Sequence, residues 1–230
     1  MSRTVGLVGG LGPESTIDYY RRILDAWSRI DPATAPSIVI DSIDVQLALR
    51  LVASDRPALV EYLLDSVHRL ASADADFVAI TANTPHIVFD EVAAQSPVPL
   101  LSIVETCADE ARRIGLRRPL LLGTRFTMEA PFYQDVFARQ GIEVVRLDDA
   151  DRTWVHDRYV GELLVGDFRE ETRQAFVALV ERRRQEQDLD GVILGGTELP
   201  LLLKSPLIAD LPVLDTTALH VAAIVEHLGY

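Results

Sequence analysis

Thr81-Ala82-Asn83-Thr84-Pro85-His86 stands between an apolar run, Phe77-Val78-Ala79-Ile80, and a helical pattern carried by Ile87, Val88, Glu91 and Val92. Polar groups therefore sit where a buried strand stops and a helix begins. In open α/β sheets that is where ligands bind. A second stretch has the same form: Gly191-Val192-Ile193-Leu194 leads into Gly195-Gly196-Thr197-Glu198.

Outward from this pair, strand-like and helix-like segments alternate. Val5–Val8, Ser37–Ile40, Val98–Ile103, Pro119–Leu122, Ile142–Val145 and Pro212–Leu214 read as further strands. Ile17, Tyr20, Ile23, Leu24, Trp27 and Ile30 fall at helical spacing, as do Val60, Leu63, Leu64, Val67 and Leu70. Helical patterns also cover 104–115, a run through Met128, Phe132, Val136 and Phe137, and 150–187 with a break at Gly166-Asp167. A last helix spans 216–228. This alternation predicts parallel sheets covered by helices on both faces. A strand, glycine loop and helix occur at 5–17 and again at 120–132. A strand, polar turn and helix occur at 77–92 and again at 191–203. The repetition predicts two pseudosymmetric α/β domains, 1–102 plus 208–230 and 103–207, with the site in the cleft between them. A single sheet with coincidentally similar βα units is the alternative.

Composition narrows the function classes. Hydrophobic residues make up 48% and charged residues 25%, as in ordinary globular chains. No apolar run reaches the ~18–20 residues of a membrane span. The N-terminal apolar run is not followed by a small-residue cleavage site, so no export signal is read there. The one cysteine, Cys107, permits no internal disulfide and suits the cytoplasm. A net charge of −13 argues against nucleic-acid partners, which need a positive surface.

Four turns line the expected cleft: Gly9–Glu14, Thr81–His86, Gly123–Arg125 and Gly195–Glu198. Each carries small residues that allow close backbone approach, and each precedes a helix N-terminus that favours anions. A small carboxylate or amino acid is the natural ligand. The binding candidates are Gly10, Leu11, Glu14, Gln46, Asn83, Thr84, Thr124, Arg125 and Thr197. Arg125 and Arg169 are candidates to read a second carboxylate. The plain alternative is that Asn and Thr cap helices at these positions.

Gly10-Leu11-Gly12-Pro13-Glu14-Ser15 is a near miss to the dinucleotide fingerprint, with Asp41 ending the next strand. The third glycine is replaced by Ser15, and Glu14 would stand near the pyrophosphate. The lysine of a P-loop is absent. Glu14, His86, Glu198 and His220 have no local ligand spacing, so no metal is expected. Among the histidines, His68 and His227 read as surface residues and His156 as a mid-helix residue. His86 and His220 lie in first helical turns, where neutral imidazole is favoured.

The sequence resembles the aspartate/glutamate racemase family, especially its broad-specificity amino-acid racemase branch. The resemblance is carried in order by Val5–Gly10, Glu14–Arg21, Asn83–His86, Leu122–Met128 and Gly195–Glu198. It implies two pseudosymmetric α/β domains, no cofactor and a site between the domains, with dimers common. It also implies two cysteines that act on opposite sides of the substrate α-carbon, since inversion needs a base on one face and an acid on the other. Those cysteines would stand at Ala82 and Gly196, which carry no titratable atom. Thr81 points to the other face of its strand. The expected activity is a racemase-like isomerase, with two-thiol racemisation weak or absent. Glu198 is the leading acid/base candidate, with His86 and Thr84 beside it. A non-catalytic amino-acid or dicarboxylate binder and a lyase using Glu198 and His86 are the alternatives.

Overall fold

The computed structural model describes residues 3–229. The chain folds as two compact units, Met1–Ile103 with Thr217–Tyr230, and Val104–Thr216.

The first unit runs β1 (Thr4–Gly9), α1 (Pro13–Ser28), β2 (Ser37–Ser42), α2 (Val45–Ser54), α3 (Arg56–Ser72) and β3 (Phe77–Ile80). A 3-10 turn (Thr84–Val88), α4 (Phe89–Gln95), β4 (Leu100–Leu101) and the start of α5 (Ile103–Arg113) follow. The parallel sheet has the order β2-β1-β3-β4. Side chains alternate across it. Val5, Leu7, Phe77 and Ala79 face one way, onto Tyr19, Ile23 and Trp27 of α1 and Val221, Ile224, Val225 and Leu228 near the C-terminus. α3 covers the other face, where a β-carbon on Gly6 would lie 3.0 Å from the Leu70 β-carbon. Each large side chain buried in this way contributes roughly 1.5–3 kcal/mol.

The second unit contains β5 (Pro119–Gly123), α6 (Arg125–Glu129), α7 (Phe132–Ala138), α8 (Asp149–Gly161), α9 (Glu170–Glu186) and β6 (Gly191–Gly195). α10 (Leu199–Leu202), β7 (Leu207–Ile208) and β8 (Leu211–Asp215) complete it, and α11 (Thr216–Leu228) carries the chain back to the first unit. The sheet order is β5-β6-β8-β7, parallel except for the β7–β8 pair. Leu120, Leu122, Val192 and Leu194 pack with Val155, Tyr159, Phe176 and Val180 of α8 and α9.

The two parallel-sheet α/β units match the expected fold class. Several details differ. The chain returns to the first unit at Thr217, not at 208, because β8 pairs with β6. The inward face of α1 is Ser15, Thr16, Tyr19, Ile23 and Trp27, while Ile17, Tyr20 and Ile30 are exposed. The strand expected at 98–103 shrinks to Leu100–Leu101, since α5 begins at Ile103. The helix expected through 128–137 is split, because Pro131 lacks an N–H and Ala130 before it is extended. Ile142–Val145 makes only a bridge between Val145 and Leu120, three residues before Asp148 caps α8. α2 has no counterpart among the expected helices; the Asp44 carboxylate starts it by accepting from the Gln46 and Leu47 amides.

His220 of α11 is buried. Its Nε2 donates to the Leu101 carbonyl (3.1 Å), so its Nδ1 accepts from the Tyr19 hydroxyl (2.9 Å). Burial, aided by nearby His86, pushes its pKa down to about 3. The unfolded chain therefore takes up a proton near the ordinary histidine pKa of about 6.5, and the folded chain does not until about 3. Stability from this group is complete above the upper value and falls as pH drops through the window. Denaturant unfolding between pH 6 and 4 is expected to show a slope steeper in the native sequence than in H220Q by about one proton, about 1.4 kcal/mol per pH unit.

Gly10 has φ +79°, and a β-carbon there would collide with the Ile43 carbonyl and lie 2.7 Å from the Ile43 nitrogen. Gly115 has a similar φ of +81° with nothing within 4 Å. G10A is expected to lower the unfolding free energy by roughly 2–4 kcal/mol, and G115A by about 1 kcal/mol, in the same denaturant assay.

Candidate active site

Parallel topology places the carboxyl ends of neighbouring strands at one edge of each sheet. In the first unit Gly9 pairs with Ser42 and Val8 with Ile80. The turn from Gly10 to Glu14, the start of α2 with Gln46, and Thr81–His86 therefore share an edge. In the second unit Gly123 pairs with Gly195, so Thr124-Arg125 and Gly196-Thr197-Glu198 share one too.

The β1 turn is held by Thr16. Its hydroxyl accepts from the Gly10 amide (2.9 Å) and donates to the Gly12 carbonyl (3.2 Å). Leu11 is buried, whereas Glu14 and Gln46 are exposed in the first turns of α1 and α2. Asp41 is tied to α3: its carboxylate accepts from Ser66 (2.6 Å) and from Arg69 (2.7 and 3.0 Å). That engagement removes the acid a dinucleotide ribose would need. Burial opposes ionisation of Asp41, and the Arg69 and Ser66 bonds outweigh it and hold the pKa low.

The β3 turn is buried almost throughout. Thr81 donates to the Val8 carbonyl (2.9 Å), which ties the end of β3 to β1. Ala82 is 6% exposed and Asn83 2%. Thr84 is half-buried at the start of the 3-10 turn. His86 is 3% exposed, and its ring stacks on Phe89 with centroids 4.9 Å apart. The Ile103 amide donates to Nε2 (3.3 Å), so Nδ1 carries the proton and donates to the Ala82 carbonyl (2.9 Å). Burial pushes its pKa down to about 4 against the opposing pull of the Ala82 and Asn83 carbonyls. Both nitrogens serve backbone groups. His86 thus buckles the turn to the start of α5 rather than standing ready as an acid or base.

In the second unit Thr124 caps α6, accepting from the Thr127 amide (3.3 Å). The Arg125 guanidinium is half-buried and donates to Thr153 (3.0 Å), and its amide donates to His156 Nδ1 (3.1 Å). His156 is therefore neutral with its proton on Nε2. Burial, then the Arg125 charge, lowers its pKa. Thr197 and Glu198 are each 2% exposed. Tyr159, 3% exposed, donates its hydroxyl to the Glu198 carboxylate, and Thr197 donates to the same oxygen (3.3 Å). Arg169 is exposed and forms ion pairs with Asp167 and Glu162. Cys107 is fully buried in α5, and burial, then the Asp215 charge, pushes its thiol pKa up.

Three site neighbours went unrecognised in the sequence: Thr153, His156 and Tyr159 of α8. They recur every three residues, which places them along one side of a helix. That polar stripe was a usable signal. Among the described residues no group of three His, Cys, Asp or Glu side chains is placed to hold a metal ion. No helix among them is long and apolar enough to cross a membrane.

Comparison with known proteins agrees with this architecture. Residues 8–224 match the family described as Asp/Glu/Hydantoin racemase. The broad specificity amino-acid racemase RacX of Bacillus subtilis (strain 168) is 25% identical over 98% of this chain and 99% of its own. PH1733, an aspartate racemase homologue from Pyrococcus horikoshii OT3, is 32% identical with a TM-score of 0.83, covering 99% of this chain and all of that one (100%). The aspartate racemase of Picrophilus torridus, at 22% identity, shares the fold with a TM-score of 0.82 over 99% of this chain and 94% of that one. With that model matched over most of its length, this chain belongs to the Asp/Glu/hydantoin racemase family.

Proposed function

We propose that this protein is a cofactor-independent enzyme of the racemase superfamily acting at the α-carbon of a small amino acid or carboxylate, with Glu198 as its acid/base group. The observation that carries the reading is chemical. Of the residues at the β3 and β6 turns, Glu198 carries a carboxylate, while Ala82 and Gly196 stand where the family resemblance places cysteines. Cys107 is no substitute, because it is buried in α5 and its thiol is held protonated. His86 supports the turn through its two backbone bonds. That leaves a lyase or isomerase step with Glu198 as the proton carrier and His86 in a holding role.

Asn83, Thr84, Thr124 and Thr197 are neutral hydrogen-bonding groups suited to orient a carboxylate, and the Arg125 guanidinium suits a second one. One carboxylate can remove and return a proton on one face of an α-carbon, whereas inversion needs a partner on the other. A second reading, a binding protein without turnover, is favoured by the lack of any titratable atom on Ala82.

Each enantiomer of aspartate and glutamate, incubated with the protein in heavy water, separates these readings. The expected result is slow α-deuteration without inversion, abolished in E198Q. A proton-transfer group typically supplies ~10²–10⁴-fold, so the loss should be at least of that order. Rapid exchange with inversion would contradict the assignment. Saturable heat of binding without exchange would select the binding protein.

A further inference from the structure

The residue that gives Glu198 its setting is not on the β6 turn at all. A β-carbon built on Gly196 would fall 2.5 Å from the Tyr159 hydroxyl oxygen and 2.7 Å from its Cζ. Real carbon atoms do not approach so closely, and the obstruction is a ring packed in the core with Val155, Leu163 and Phe176. The hydroxyl does not stop there; it donates to the Glu198 carboxylate, to which Thr197 also donates. A buried carboxylate without such donors would cost several kcal/mol or lose its charge. We propose that Tyr159 is a positioning residue of the β6 turn, whose hydroxyl takes the space a side chain at 196 would need and holds the Glu198 carboxylate in place. This rests on the assignment of Glu198 as the acid/base group.

Two consequences follow from the geometry. A side chain at 196 forces the Tyr159 ring to shift, so a substitution at 196 carries a cost that Tyr159 sets. The tyrosine also stays protonated, because burial, then the Glu198 charge, pushes its pKa well up. It therefore serves as a donor to the carboxylate. Removing that donor disfavours the charged form of Glu198 and raises its pKa.

Full-length protein carrying 13C-labelled glutamate side chains provides the test, with the Glu198 signal assigned by its disappearance in E198Q. In Y159F, which keeps the ring, the Glu198 titration midpoint should rise by about one pH unit. In denaturant unfolding, G196A should reduce the unfolding constant's advantage for the native state by about tenfold or more when Tyr159 is present. The same change in a Y159A background should cost much less. An unmoved midpoint in Y159F, or an equal cost of G196A in both backgrounds, would overturn the proposal. Neither readout needs a ligand. Absence of any amino-acid binding or α-proton exchange in the native protein would therefore count against the functional reading alone.

Discussion

Polar groups in the buried turns at the strand ends must be satisfied without bulk water, and that requirement sorts the site residues into those that hold and those that can react. A buried group left without a partner costs about 1–3 kcal/mol. The turn after β3 meets the requirement with Thr81 bonded to the Val8 carbonyl and His86 bonded on both nitrogens to backbone. The turn after β1 meets it with Thr16. His220 does the same for the Leu101 carbonyl and the Tyr19 hydroxyl. An imidazole fixed as one tautomer by two partners in a buried setting is a strut, and its lowered pKa is the electrostatic expression of that role.

Much of the fold was legible because it rests on periodicity. Central strands buried on both faces read as short apolar runs, and the runs at 77–80 and 191–194 lie in β3 and β6, the latter extended by Gly195. What was not legible depends on neighbours distant in sequence. Tyr19 and Tyr20 offer the same hydrophobic signal, yet only Tyr19 is buried, because the packing of α1 against β1, β3 and α11 chooses the face. Leu100–Leu101 looked like the middle of a longer strand, and the start of α5 at Ile103 cut it short. The split at Pro131 is readable from proline chemistry.

The site was partly legible for a related reason. Strand-end turns can be located from sequence, and Asn83, Thr84, Thr124, Thr197 and Glu198 follow the carboxyl ends of β3, β5 and β6. Roles cannot be located in that way. Whether His86 has a nitrogen to offer depends on the Ile103 amide, seventeen residues on. Whether position 196 can hold a side chain depends on Tyr159, which approaches from α8.

On the proposed reading, the β6 turn works through a carboxylate supported by a phenol, and thiol chemistry has no part in it. Reaction of the native protein with a thiol-specific alkylating reagent tests that directly, because Cys107 is the one cysteine in the chain. The expected result is a thiol that stays unmodified in the folded protein, reacts once it is unfolded, and leaves amino-acid binding and α-proton exchange untouched. A native thiol that reacts quickly, with loss of binding or exchange, would contradict it.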